Sequence, residues 1–380
     1  MKSYMKEAGI YIHIPFCDHK CIYCDFYSII TTDKVRDYID AMFLEFDTYS
    51  EQFGRSHKFS SVFFGGGTPS FLAPELIAEI IRALYSRFSF TDDAEITMET
   101  NPGTVDEEKL KQFKAAGINR ISVGIQSFDD NDLNFLTRIH DSQTAIATVH
   151  SLVAAGFENI SIDLIFNLPG QTKEAWTKNL EQASKLPIKH ISAYSLILER
   201  GTILNKMVLD KKVVISDEDY DAELYEITME HLINQGMRQY EVSNFCIPGY
   251  ECRHNNHYWQ YRDYLSFGTS SHSFMNGKRW WNISALTFYL LSMQQHGHAR
   301  AGEEMLTPEQ MHDEYVMLAF RSSGLNRNEY SSLFGRQWLD GKHSDFEKLI
   351  LEGFALEENG VIRLLPKGYA VCDEIVKNLL

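Results

Sequence analysis

The chain has 380 residues, 44% of them hydrophobic, and a formal net charge of −16. That length supports one large α/β core of about 250 residues plus a smaller satellite, and the acidic balance excludes a nucleic-acid backbone as the main partner, because such binders carry a basic face. No run approaches the ~18 apolar residues that cross a bilayer, the start MKSYMKEAG lacks an apolar signal core, and six cysteines with three crowded on one loop make no disulfide framework; the expectation is a cytoplasmic protein.

In chain order, Tyr11 to Ile14 reads as a short strand and runs into Cys17-Asp18-His19-Lys20-Cys21-Ile22-Tyr23-Cys24. Three thiolates spaced C-x3-C-x2-C on one loop can converge on a soft metal centre. A [4Fe–4S] cube takes four protein ligands, so three would leave one iron open. From the cysteines alone, a zinc site completed by His13 or His19 and a set of free thiols stay open as alternatives. Residues 33–52 then carry Tyr38, Met42, Phe46 and Tyr49 at helical spacing. An apolar run at 60–64 is broken by Gly65-Gly66-Gly67-Thr68-Pro69. Beyond it, helices at 73–88, 106–116, 142–155 and 172–185 alternate with strands at 94–99, 120–125, 159–165 and 189–196.

An internal echo supports the alternation. Ala115-Ala116-Gly117-Ile118-Asn119-Arg120-Ile121-Ser122 recurs as Ala154-Ala155-Gly156-Phe157-Glu158-Asn159-Ile160-Ser161. Each copy reads as a helix end, a glycine free to turn left-handed, and the next buried strand. Repeated strand–helix units give a parallel sheet covered by helices. Six of them fit a partial (β/α)6 barrel, whose reactive groups sit at the C-terminal ends of the strands. Polar residues stand there: the cysteine loop, Gly66-Gly67-Thr68, Glu99 in E-x-N-P, Gln126, Asp163 and, a little further on, Arg138. Free N–H groups of the glycine loop suit a carboxylate, and Glu99 and Asp163 suit an ammonium or ribose hydroxyls or, equally, cap the next helix. Arg138 taken alone reads as a surface residue.

Taken together, C-x3-C-x2-C with Tyr23 before the last cysteine, GGGTP, E-x-N-P, S-x-G-x-Q-S-F and D-L-I-x-x-L-P-G resemble the radical S-adenosylmethionine (SAM) superfamily. The similarity is to the branch of oxygen-independent coproporphyrinogen III oxidase and the haem chaperones, and it covers residues 10 to 380. It implies a [4Fe–4S] cluster on Cys17, Cys21 and Cys24, with SAM on the open iron contacted by Tyr11, Gly66 and Glu99 and the aromatic Tyr23 beside the cluster. Gly67, Thr68, Gln126, Arg138 and Asp163 match positions that hold a second SAM in the oxidase, which leaves one or two SAM molecules open here. Two departures separate the relatives. Phe26 stands where the oxidase has a fourth cysteine, and Cys17 lies almost at the start, where the oxidase carries an N-terminal extension; both point to the haem chaperones.

Further on, His254-Asn255-Asn256-His257-Tyr258-Trp259 gives the H-N-x-x-Y-W signature by which haem chaperones resemble one another. His254 offers an imidazole to haem iron, Tyr258 and Trp259 offer flat faces, and Arg253 can meet a propionate. His257 and Cys252 are alternative ligands, and Cys246, Cys252 and His254 form a rival zinc set. Gly268 to Ser273 is turn-rich, and Trp280-Trp281-Asn282 ends a short strand. From about 305 the texture changes: Pro308 opens a helix, further helices fit 308–321, 326–334, 344–353 and 366–380, and Gly360 to Leu364 reads as a hairpin arm. The outline is winged-helix-like, yet residues 301–380 hold 14 acidic against 8 basic side chains, which speaks against DNA. The fold class expected is therefore α/β: a partial (β/α)6 radical SAM barrel at 1–200, an extension with the haem-binding segment at 201–300, and a C-terminal, mostly helical domain at 301–380. The expected function is binding of haem and its transfer to an acceptor such as a membrane-associated respiratory enzyme, by a monomer or cofactor-dependent dimer. A coproporphyrinogen III dehydrogenase is the alternative.

Overall fold

The computed structural model describes residues 5–380. Six parallel strands run side by side in chain order: β1 (Lys6–Ile14), β2 (His57–Gly66), β3 (Ser89–Thr100), β4 (Arg120–Gln126), β5 (Asn159–Phe166) and β6 (His190–Ser195). Helices Val35–Phe53, Pro74–Tyr85, Glu107–Ala116, Ser142–Ala154 and Lys173–Ser184 follow β1, β2, β3, β4 and β5. Each buries an apolar stripe, as Tyr38, Met42, Phe46 and Tyr49 do in the first. The echoed glycines behave as read: Gly117 and Gly156 have φ of 113° and 86°, which ends a helix and aims the chain into the next strand.

Among the described residues β6 does not pair with β1, so the barrel stays open. The sheet instead widens at both edges. On the β6 side stand β7 (Arg238–Gln239) and β8 (Asn244–Cys246), with β8 antiparallel to β6. Against β1 lies β9 (Tyr264–Phe267), a seventh parallel strand absent from the sequence reading, followed by β10 (His272–Met275), β11 (Lys278–Asn282) and β12 (Arg300–Met305) in antiparallel order. The result is a twelve-stranded sheet whose central six strands are the partial barrel.

The C-terminal segment pairs β13 (Leu325–Asn326), β14 (Ala355–Glu358) and β15 (Val361–Leu364) into a small antiparallel sheet beside short helices. Thr307 caps the first of these helices with Gln310 in a reciprocal box and Pro308 at its first turn. The helix expected over 366–380 is two, Pro366–Tyr369 and Cys372–Leu379. One apolar core runs without a break from the barrel into this segment, from Ile12 and Phe64 to Phe320 and Leu364. No helix among the described residues is long and apolar enough to cross a membrane.

Candidate functional site

The cysteine loop is a clasp closed at its base. Cys17 N–H donates to the Ile29 carbonyl at 3.0 Å and Ile29 N–H to that of Pro15 at 2.8 Å, so both ends of the loop leave from the tip of β1. The glycine loop after β2 is tied to the same tip, Gly67 N–H donating to Ile14 O at 2.7 Å and Thr68 N–H to Phe16 O at 2.8 Å. Glycine is required here by space: a Cβ on Gly67 would stand 2.7 Å from Phe16 O, and one on Gly66 (φ 110°) 2.6 Å from the His13 ring. Cysteine loop and glycine loop therefore move as one unit.

The three thiols face a cavity of about 370 Å³ at the C-terminal ends of the strands. A chain of polar contacts runs beneath them. Thr68 Oγ1 lies 3.1 Å from Cys17 Sγ and accepts from Asn101 Nδ2 at 2.9 Å; Arg138 Nη2 donates to Asn101 Oδ1 at 2.7 Å, and its Nη1 reaches Cys21 Sγ at 3.5 Å. Arg138 is thus drawn inward, where the family resemblance expects it and unlike its reading taken alone, with a further bond to Gly124 O at 2.6 Å. Burial pushes the Cys24 thiol up to about 11.

The donor set suits a polynuclear iron–sulfur centre. All three cysteines are free and partly buried, and among the described residues no three His, Cys, Asp or Glu side chains stand close enough to hold a single metal ion. His13 is spent on the Tyr27 carbonyl (3.0 Å) and the Tyr11 hydroxyl (3.2 Å), away from the thiols. The rival zinc set is also dispersed, with Cys252 Sγ directed at Glu95 (3.6 Å) and His254 at other partners.

Eleven of the expected site residues line this cavity: Cys17, Cys21, Cys24, Tyr23, Gly66, Gly67, Thr68, Glu99, Gln126, Arg138 and Asp163. Glu99 accepts from Gly66 N–H at 3.2 Å, and burial, assisted by the nearby charge of Asp163, raises its carboxyl to about 8. Gln126 carries φ of 73° beside a register shift in β4, a left-handed turn that is unusual for its residue type and sends its side chain into the cavity.

The remaining two, Tyr11 and His254, line a second chamber of about 220 Å³ below the first; Gly66, Glu99 and Asp163 form walls of both. His254 belongs to helix Arg253–Trp259, which lies so tightly on the sheet that a Cβ on Gly9 would come 2.9 Å from the His257 ring. It is 1% exposed, with Nδ1 3.0 Å from Ser61 Oγ and Nε2 2.8 Å from Tyr258 OH. As folded, both ring nitrogens are engaged, and burial holds the ring well below its usual pKa and therefore neutral. Arg253 is paired with Asp93 at 2.9 Å.

Residues the sequence reading passed over complete the picture. Asn101 joins the two halves of the cysteine support, and Arg120, Ser122, His190 and Ser192 line the lower chamber. Their signal was present: parallel strands buried on both faces usually read as continuous apolar runs, whereas Arg120-Ile121-Ser122-Val123 and His190-Ile191-Ser192-Ala193 alternate.

The Radical SAM superfamily model matches residues 11–183. "Heme chaperone HemW" of Bacillus subtilis is 32% identical over 375 residues, covering 98% of both chains. That of Escherichia coli is 36% identical over 270 residues, covering 70% of each. Among solved structures, the E. coli coproporphyrinogen III oxidase HemN superposes with a TM-score of 0.83 at 22% identity, covering 100% of this chain and 91% of that one, a likeness of fold. With an open parallel barrel, a three-cysteine clasp at its mouth and full-length similarity of this order, the chain belongs to the HemW family of the radical SAM superfamily.

Proposed function

We propose that the chain is a cytoplasmic haem chaperone that binds haem and passes it to acceptor proteins, respiratory enzymes among them. The observation that carries the reading is the 32% identity to a haem chaperone along 98% of both chains. Phe26 supports it. This residue takes the place of the oxidase's fourth cysteine and is 60% exposed at the mouth of the cavity.

In this reading Cys17, Cys21 and Cys24 hold a [4Fe–4S] cluster, which when bound supplies one open iron corner to the amino and carboxylate groups of SAM. Arg138 steadies Cys21, Thr68 steadies Cys17, and the glycine loop with Glu99, Gln126 and Asp163 surrounds SAM. Because Thr68 and Arg138 are already committed to Asn101 and the cysteines, the reading assigns one SAM rather than two. It also divides the chain into a barrel (1–200), an extension with the haem segment (201–300) and a C-terminal docking unit (301–380).

His254 is the proposed iron ligand, reached from outside. Tyr258, whose hydroxyl holds its Nε2, also walls an outer groove of about 370 Å³ lined by Tyr261, Tyr264, Phe274 and Met317, together with Arg279, paired with Glu314 at 2.6 Å, and Arg262, paired with Glu7 at 3.2 Å. Displacing Tyr258 would join the groove to the chamber and free a nitrogen. The alternative, a coproporphyrinogen III dehydrogenase, is separated by one assay. Reconstituted protein incubated anaerobically with SAM, dithionite and coproporphyrinogen III should yield no protoporphyrinogen, and its formation would overturn the chaperone reading.

A further inference from the structure

The lower chamber is a polar lumen in a place where barrels normally stack apolar layers. Alternate residues of the strands point into it, among them Arg120 and Ser122 of β4, Asp163 of β5, and His190 and Ser192 of β6. Nearly all of these groups are satisfied within the wall. His190 bonds Ser161 and Tyr240 at 2.8 Å each, His254 bonds Ser61 and Tyr258, and Asp163 accepts from Ser122 at 3.1 Å.

Arg120 is the exception. It is 2% exposed and lines the chamber, yet its side chain takes part in no hydrogen bond or ion pair among the described residues, and its Nε is a buried nitrogen without a partner. Glu95 of β3 and Asp163 of β5 act on Arg120 through their charges without bonding it; Glu95 Oε1 accepts instead from Cys252 Sγ and from Arg253 N–H at 3.0 Å. A buried cation is costly unless paired and hydrogen-bonded, and a guanidinium fork matches a carboxylate in both geometry and charge.

We propose that the lower chamber binds a small organic carboxylate, anchored on Arg120 with its tail pointing up toward Glu99 and the cysteine cavity. At about 220 Å³ the chamber holds about seven water-sized groups, taking ~30 Å³ each. That matches a short mono- or dicarboxylic acid and excludes a macrocycle. Ser122 and Ser192 add hydroxyls near the head, and Phe63 and Phe26 add apolar wall for the tail. The site does not depend on haem binding, and its test uses neither haem, cluster nor SAM.

The test is thermal unfolding of the full-length chain, free of cofactors, with propionate, succinate, phosphate or chloride at matched ionic strength. A ligand that binds only the folded state raises the melting temperature as its concentration passes its dissociation constant. Expected for the unaltered chain is a saturable rise with propionate or succinate, half complete at roughly millimolar concentration. In Arg120→Met the rise disappears, and in Arg120→Lys, which keeps the charge but loses the fork, it is weakened. A rise of the same size in Arg120→Met, a rise with phosphate but neither carboxylate, or no rise in the unaltered chain would each overturn the proposal. Should Arg120→Met fail to fold, isothermal titration of the unaltered and Arg120→Lys chains with succinate decides it: saturable heat weakened by lysine supports the site, and absence of heat overturns it.

Discussion

Replacing Gly67 by alanine probes the link between the two loops that build the site. The new Cβ would lie 2.7 Å from Phe16 O, 2.9 Å from Pro15 O and 3.0 Å from Ile14 O. All three are backbone atoms at the end of β1, so no side chain can rotate away. Relief requires the glycine loop to lift, which sacrifices Gly67 N–H to Ile14 O and Thr68 N–H to Phe16 O. Two hydrogen bonds at about 0.5–1.5 kcal/mol each, plus about 1–3 kcal/mol for overpacking, give a loss of roughly 2–6 kcal/mol. Urea unfolding of the cofactor-free chain measures it. Because Thr68 carries the contact to Cys17, the same variant should also retain less iron after anaerobic reconstitution. A variant within about 0.5 kcal/mol of the unaltered chain, with full iron, would refute the argument that the loops are locked by contact.

Three further outcomes are expected. Glu45 is fully buried among Gly268 N–H, Asn282 Nδ2 and Tyr289 OH, and burial raises its carboxyl from 4.5 to about 7. Its folded form therefore holds the proton more tightly, and the stability so gained is complete below pH 4.5 and lost as pH rises from 4.5 through about 7. Glu45→Gln should gain on the unaltered chain by up to about 3 kcal/mol between pH 5 and pH 8; an equal difference at both pH values would count against this. Arg138→Met removes the guanidinium from Cys21, Asn101 and Gly124 and should cost about 3 kcal/mol in urea unfolding and lower the iron bound per chain, since hydrogen bonds to charged groups are worth about 1.5–3 kcal/mol; unchanged iron would show that the arginine does not steady the cluster loop. Tyr258→Phe frees His254 Nε2 from a 2.8 Å bond and should raise haem affinity by roughly twofold to tenfold, as expected from about 0.5–1.4 kcal/mol; weaker haem binding would argue against Tyr258 as the barrier.

The barrel was legible because its signals are local and repeat. Apolar strands with glycines at helix ends place each βα unit, and Pro308 at a helix start and the glycine at 117 need no tertiary context. What escaped the sequence depended on partners distant in the chain. β9 is four residues long and becomes a parallel strand only by lying against β1. Helix Glu218–Asn234 was passed over although its Asp217 cap and acidic first turn are start signals, because only Leu224, Thr228, Met229 and Leu232 are buried along its 17 residues. The final helix splits where Ala370 and Val371 turn, with Tyr369 OH fixed on the Ser322 carbonyl.

The same division holds for the site. The cysteines, Glu99, Gln126 and Asp163 were visible because they stand just past strands or in their C-terminal halves, where an open barrel collects its polar groups. Arg138 read as a surface residue only when taken alone, and its inward position rests on long-range contacts to Asn101 and Gly124, just as Ser61 of β2 fixes His254. Arg120 lay unread inside a strand. Its meaning depends on its neighbours being satisfied while it is not, which only the assembled lumen reveals.

Whether this barrel carries haem is tested most directly by an anaerobic haem titration followed by Soret absorption in the unaltered chain and in His254→Ala. A saturable Soret band at one haem per chain that weakens in the variant is expected. A titration in which haem absorbs as it does in buffer alone would contradict this expectation.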